Sequence, residues 1–406
     1  MIDAAAAAET AARHSYGRLL AWLAWQWRDV ATAEDALADA FAAALERWPL
    51  DGVPASPDAW LLTAARRRLL MAARRQRQAS DPTLTILWPG EDEAATESPP
   101  LPDSRLRLLF VCAHPAIAAD VHSALMLQTV LGLDAARIAS AFLVKPEAMT
   151  KRLVRAKAKI RATGLRFEEP EPGEWSERLG SVLEAIYGAY TLHWGQADDA
   201  VSGQLAAEAV YLAELVAAHL PAEPEALGLV ALLWLCEARR LARDEAFQPL
   251  HEQDPRRWDA ALIARANDAL AQAATHRAAG PFQLEAAIQA AHVHGRIDGQ
   301  VPWDAIVGLY DRLLELAPTL GARIAQAVAL AHAGPDPRAG LGLLDAIDPA
   351  RIVAHQPWWA SRAHLLAMAG AHAEAASAYG RALGLTVEPR LRTWLEQRRQ
   401  AELDAS

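Results

Sequence analysis

The side chains of this chain best suited to chemistry are cations. Lys145, Lys151, Arg152, Arg155, Lys157, Lys159 and Arg161 crowd one short stretch, and all four lysines of the protein lie between Lys145 and Lys159. Ammonium and guanidinium groups at this density attract phosphate, by charge and by their many N–H donors. In the same stretch Ile138, Phe142, Met149 and Leu153 fall at helical spacing. They predict a helix over Asp134–Phe142 and a second from Pro146, closed over one small core. Pro146 stands at the first helical position, where its missing N–H costs nothing. With the tight connection Leu143–Lys145, this is the pattern of a helix-turn-helix whose second helix lies against a duplex. Near the start of that helix, Lys145, Glu147, Ala148, Thr150 and Lys151 would meet base edges. Arg152 and Arg155 would clamp phosphates, and Met149 reads as core.

Residues for bond-making chemistry are missing. No HExxH, no P-loop and no paired Cys-x-x-Cys occurs. Cys112 and Cys236 form neither a disulfide framework nor a metal cluster, which favours a reducing cytoplasm. His292 and His294 sit two apart, a spacing that suits neither one helical face nor a common zinc pattern, and read as surface or groove residues. The expectation is a binding protein, not an enzyme, with no metal and no cofactor.

The elements that must position these cations are helical. Long stretches of the 406 residues repeat near 3.6, and strand-like alternation is scarce, so the fold class expected is all-α. The N-terminus lacks a basic start followed by a pure apolar core, and no apolar run reaches membrane-spanning length without charge. A soluble, cytoplasmic chain with no membrane partner is expected. The net charge of −10 divides sharply: residues 1–166 carry 21 Lys+Arg against 18 Asp+Glu, and residues 167–406 carry 19 against 32. Attraction to nucleic acid depends on local charge, so one basic face suffices.

Four segments follow. Residues 9–78 read as a helical bundle, with Tyr16, Leu19, Leu20, Leu23 and Trp27 on one face. A second helix runs from about Thr32, its expected N-cap, to Trp48. Ser56 and Pro57 then open a helix carrying Arg66, Arg67, Arg68, Arg74, Arg75 and Arg77. Residues 79–103, rich in proline and acid, read as a linker, and residues 104–166 hold the helix-turn-helix. Residues 174–390 carry repeats: Ala305, Ala339 and Ala375 recur, and Leu309, Leu343 and Tyr379 keep the same register. A period near 34 residues is that of tetratricopeptide (TPR) helix pairs, which stack into a solenoid with a concave binding face. The tryptophans of this half, Trp194, Trp234, Trp258, Trp303, Trp358 and Trp359 among them, read mostly as solenoid core.

The first half resembles a known family. Ala33-Glu34-Asp35-Ala36-Leu37-Ala38-Asp39-Ala40-Phe41 resembles the core-polymerase-binding segment of bacterial extracytoplasmic function (ECF) sigma factors. Trp60-Leu61-Leu62-Thr63-Ala64-Ala65-Arg66-Arg67-Arg68, with Arg74 and Arg75, resembles their −10 promoter segment, and residues 125–161 their −35-binding domain. With the repeats, the chain resembles the ECF subfamily that carries a C-terminal TPR-like extension. The resemblance implies two small helical sigma-factor domains followed by a TPR-like α-solenoid. It implies that Glu34, Asp35, Asp39 and Phe41 dock on the β′ clamp of core RNA polymerase, and that the helix-turn-helix domain meets the β flap. Promoter DNA would be held at −10 by Trp60, Arg66, Arg67, Arg68, Arg74 and Arg75, although Trp60 by itself reads first as core. At −35 it would be held by Lys145, Glu147, Thr150, Lys151, Arg152 and Arg155. A protein or peptide in the TPR groove is the remaining expected partner. The alternative is an independent DNA-binding regulator with a TPR sensor domain, and a TPR scaffold binding only protein is a third class.

Overall fold

The computed structural model describes residues 4–27, 29–80, 104–142, 144–163, 172–192, 200–242 and 247–406. Among them every regular element is a helix, so the all-α expectation holds. None of these helices is long and apolar enough to cross a membrane. The chain divides into two compact units, Met1–Ala189 and Tyr190–Ser406.

The first unit begins with three helices, α1 (Ala4–Trp27), α2 (Val30–Asp51) and α3 (Pro57–Ser80), that pack on one another. Leu19, Leu20 and Leu23 of α1 are fully buried with Leu37 of α2 and Leu61 of α3. Small residues complete the core: Ala33, Ala40, Ala44 and Ala65 let the helices approach closely. The cap of α2 differs from the sequence expectation. Asp29, in extended conformation, accepts from the amides of Ala31 (3.0 Å) and Thr32 (3.1 Å), so Thr32 lies inside the helix. Aspartate takes the place because its carboxylate receives two orphan amides and bears the charge that the helix N-terminus favours. The helix also runs past Trp48, through Pro49, to Asp51.

Residues 79 and 80 belong to α3, and 81–103, the rest of the expected linker, lie outside the described residues. Four helices follow: α4 (Arg105–Cys112), α5 (Ala119–Thr129), α6 (Ala135–Ala141) and α7 (Pro146–Thr163). Asp134 caps α6, accepting from Ala136 and Arg137. Ile138, Met149 and Leu153 are buried as expected, but Phe142 is exposed. It is the C-cap of α6, one residue past the helical stripe that the spacing argument extended to it. Leu143 lies outside the described residues. The next helix, α8 (Pro172–Leu192), packs its first turns on α4: Trp175 lies 4.8 Å from Phe110, and buried Arg178 donates to the Phe110 carbonyl. The first compact unit therefore runs past residue 166, where the sequence reading ended the helix-turn-helix segment.

The second unit contains α9 (Ala200–His219), α10 (Pro224–Glu237), α11 (Ala260–Thr275), α12 (Pro281–Asp298), α13 (Trp303–Leu316) and α14 (Leu320–Ala333). It continues through α15 (Arg338–Asp345), α16 (Pro349–Ile352), α17 (Gln356–Met368), α18 (His372–Gly384) and α19 (Pro389–Asp404). Helices from α13 onward pack mainly on their sequence neighbours, as in a repeat array, while α12 packs chiefly on α10. The register read from the sequence holds at Ala375 and Tyr379 but is off by one residue in the two preceding repeats. Ala305 and Ala339 are exposed, and Leu343 is 38% exposed. The inward positions are Ile306, Gly340 and Ala375, then Tyr310, Leu344 and Tyr379, then Leu313, Ile347 and Ala382, each set separated by 34 and 35 residues. An alanine reads equally well on either face, so the alanine-led alignment did not fix which face is inward. Gly340 is where α15 meets α14 most closely, since a Cβ there would lie 2.3 Å from the Ala327 carbonyl oxygen. Of the expected core tryptophans, Trp258 and Trp358 are buried, while Trp234, Trp303 and Trp359 are half-buried. Trp194 lies outside the described residues.

Candidate nucleic-acid interface

The acids of α2 face different surroundings. Asp35 and Asp39 are exposed, and Asp39 pairs with Arg68 of α3 at 3.4 Å. Glu34 is drawn inward, and its carboxylate meets the Lys157 ammonium of α7 at 2.5 Å, the two side chains being only 18% and 21% exposed. Tyr16 of α1 also hydrogen-bonds Glu34; burial, then the Glu34 charge, pushes the phenol well above its ordinary range. Phe41 is half-buried with its ring 6.2 Å from Tyr16, so it serves the bundle as well as any outside partner.

On α3, Arg66, Arg67, Arg68 and Arg74 are exposed. Arg75 lies in the helix, its side chain outside the described residues. Arg66 stands over the Trp22 ring at 5.4 Å, a cation–π contact that steadies the guanidinium without neutralising it. Trp60, itself half-buried, packs edge-on against buried Trp48 at 5.5 Å, at the edge of the core the sequence favoured for it. The arginine face of α3 can hold phosphate, and half-buried Trp60 has a ring contact with the bundle.

Lys145, just before α7, and Glu147, Lys151, Arg152, Arg155 and Lys159 on it are exposed, while Met149 and Leu153 are buried. The Thr150 hydroxyl is also exposed but donates to the Pro146 carbonyl at 2.9 Å. Lys157 alone among the four lysines is turned inward. The cation ladder therefore splits into an outward face suited to phosphate and one residue that ties α7 to α2. Composition gave no signal for that split; it needs Glu34, 123 residues away.

Sequence reasoning also missed an imidazole array in the second unit. His292 meets Trp303 edge-on at 5.3 Å, Trp303 stacks on His332 at 4.4 Å, and His332 reaches His364. His251 lies 6.1 Å beyond. His294 points elsewhere, to Asn267 at 3.2 Å. Among the described residues no three His, Cys, Asp or Glu side chains are grouped to hold a metal ion. The only advance signal was a histidine in each of α12, α14 and α17, without a fixed spacing.

Comparison with known proteins bears on both halves. The sigma-70 region 2 family matches residues 12–79, the span of the α1–α3 bundle. A family of unknown function, DUF6596, matches residues 178–274, where the repeat pattern is weakest. Over 370 residues the chain is 35% identical to an uncharacterized protein of Rhizobium meliloti (strain 1021), covering 88% of this chain and 87% of that one. No solved structure matches it. Region 2 brings a role in transcription initiation, with core RNA polymerase and promoter DNA as partners. The exposed arginines of α3 and the acids of α2 lie inside that match; the chain carries a sigma-70 region 2 domain and belongs to one family with the uncharacterized Rhizobium protein it parallels over most of its length.

Proposed function

We propose that this chain is a promoter-specificity subunit of the ECF type with a fused TPR-like regulatory half. The observation that carries the reading is the region 2 match, which coincides with a three-helix bundle whose α2 presents acids and whose α3 presents arginines. Asp35 and Asp39, with Glu34 once it is released, dock on the basic β′ clamp of core polymerase. Arg66, Arg67, Arg68 and Arg74 hold the backbone of the opened −10 strand. The α6–α7 pair acts as a helix-turn-helix: Lys145, Glu147 and Lys151 meet base edges of the −35 duplex, and Arg152 and Arg155 clamp phosphates. Phosphodiester chemistry stays with the polymerase, and the chain itself is no enzyme. The acidic second half serves as the regulator and holds a protein or peptide in its concave face.

The test is to mix the full-length chain with sigma-free bacterial core polymerase and sequence the transcripts made from the source genome's DNA. Discrete start sites with a shared upstream motif are expected. Absence of core-dependent initiation, together with tight binding of the isolated chain to a palindromic duplex, would move the protein to the independent-regulator class. A chain ended after Leu192 keeps α8 on the first unit and reports on the rest. Raised promoter activity identifies the second half as a brake, and lost activity as a helper.

A further inference from the structure

The α1–α3 bundle and the α4–α7 helices of the first unit meet along a close seam. At one point the backbones touch: a Cβ on Gly17 of α1 would lie 1.8 Å from the Val130 carbonyl oxygen, so no side chain fits there. Beside it the Tyr16 ring packs over Gly132, and Arg107 of α4 stands over the Trp25 ring at 5.8 Å. At the other end lies the Glu34–Lys157 pair. Next to that pair is a small void of about 10 Å³, lined by Val30, Ala31 and Glu34 of α2, by Cys112, Leu125 and Thr129, and by Lys157. Cys112 is 2% exposed. The Sγ contacts the Thr129 hydroxyl at 3.3 Å, and burial pushes its thiol up to about 12.

We propose that the free chain is self-closed: Lys157 occupies on Glu34 the place of a polymerase cation, so the α4–α7 helices must leave α2 before core polymerase can dock. The docking half of this inference rests on the sigma-factor reading above; the closed seam stands on the geometry alone. A half-buried pair of opposite charges is a suitable latch. Separated in place, each partner becomes an unpaired, poorly solvated charge; separated together by opening, both regain water. The latch therefore resists small excursions yet permits a complete opening. A polymerase surface that supplies its own cation to Glu34 shifts the balance toward the open form by its differential affinity. The same motion frees the Trp25 ring and both faces of α7.

The two cysteines make opening measurable without any partner. Cys112 lines the seam, whereas Cys236 is buried in the second unit and serves as an internal reference. Full-length protein is treated with a maleimide, and the modification of each cysteine is followed by peptide mass spectrometry. Polymerase affinity is measured on the same preparations. Lys157→Glu should speed Cys112 modification about tenfold with Cys236 unchanged, because labelling of a buried thiol follows the population of the open form. It should also tighten binding to core polymerase. Lys157→Met, a milder change that keeps the apolar stem, should act in the same direction. In the double variant Glu34→Lys with Lys157→Glu, labelling should return toward the wild-type rate. Adding core polymerase to the wild-type chain should expose Cys112. Unchanged Cys112 labelling in both Lys157 variants would overturn the latch, as would polymerase binding to wild-type protein with Cys112 still protected. If labelling responds as described but no form binds polymerase, the sigma reading fails and the competition with it, while the seam remains.

Discussion

The Nε2 atoms of His332 and His364 lie 3.1 Å apart, with the His332 ring stacked on Trp303 at an interplanar angle of 11°. At that separation one neutral imidazole donates to the other, and two imidazolium ions are excluded.

The array makes the second unit sensitive to acid. Burial holds His292 and His364 down to about 4, with further lowering from Arg239 and His332 for His292, and from His332 and His251 for His364. A histidine in the unfolded chain titrates near 6.5. Between these values the unfolded chain binds more protons, so stability is fully present above about pH 6.5 and is lost as pH falls toward 4. Urea unfolding at a series of pH values should show a loss on the order of a few kcal/mol across that window. His364→Gln should flatten the dependence. A flat profile for the wild-type chain would show that the array is solvated.

Capping separates Asp29 from Thr32. Asp29 receives two amides and the Thr32 hydroxyl, whereas the side chain of Thr32 makes its contact only through Asp29. Asp29→Ala should cost about 1–2 kcal/mol of stability, the upper part of the range for N-caps. Thr32→Ala should cost less. Chemical denaturation of the two variants compares them directly, and an equal loss would return Thr32 to the capping role.

Arg152 and Arg155 of α7 should act through charge and without base preference. Arg152→Ala or Arg155→Ala should weaken promoter binding by the holoenzyme for every promoter alike, and each should reduce the slope of log affinity against log salt by about 1. Thr150→Ala should leave promoter choice nearly unchanged, because its proton is committed to the Pro146 carbonyl. A changed recognition sequence in the Thr150 variant would place that hydroxyl on a base.

Gly340 is a packing residue. A methyl group there meets the Ala327 carbonyl, the Ala331 side chain and Leu365. Gly340→Ala should cost about 1–3 kcal/mol by overpacking, while Ala→Gly at exposed Ala339 should cost less, about 0.5–1 kcal/mol. Thermal melts of the two variants test whether the inward register is set as described.

Much of this protein was legible in the sequence because helix formation is a local matter. The period near 3.6, Pro146 and Pro57 at helix starts, and the run of α3 arginines fixed where helices form and which carry charge. The role of Met149 as core followed from the same spacing. Three features were decided only by packing between distant segments. Lys157 and Arg155 are equivalent as text, yet a half-buried carboxylate from α2 claims one and leaves the other to solvent. The repeat period gives a spacing but no phase, and in the repeats led by Ala305 and Ala339 the phase moved by one residue because apolar Ile306, Leu344 and Leu313, not the alanines, determine which face is inward. His251, His292, His332 and His364 become neighbours only when successive helices stack, since no local interaction connects residues so far apart in the chain.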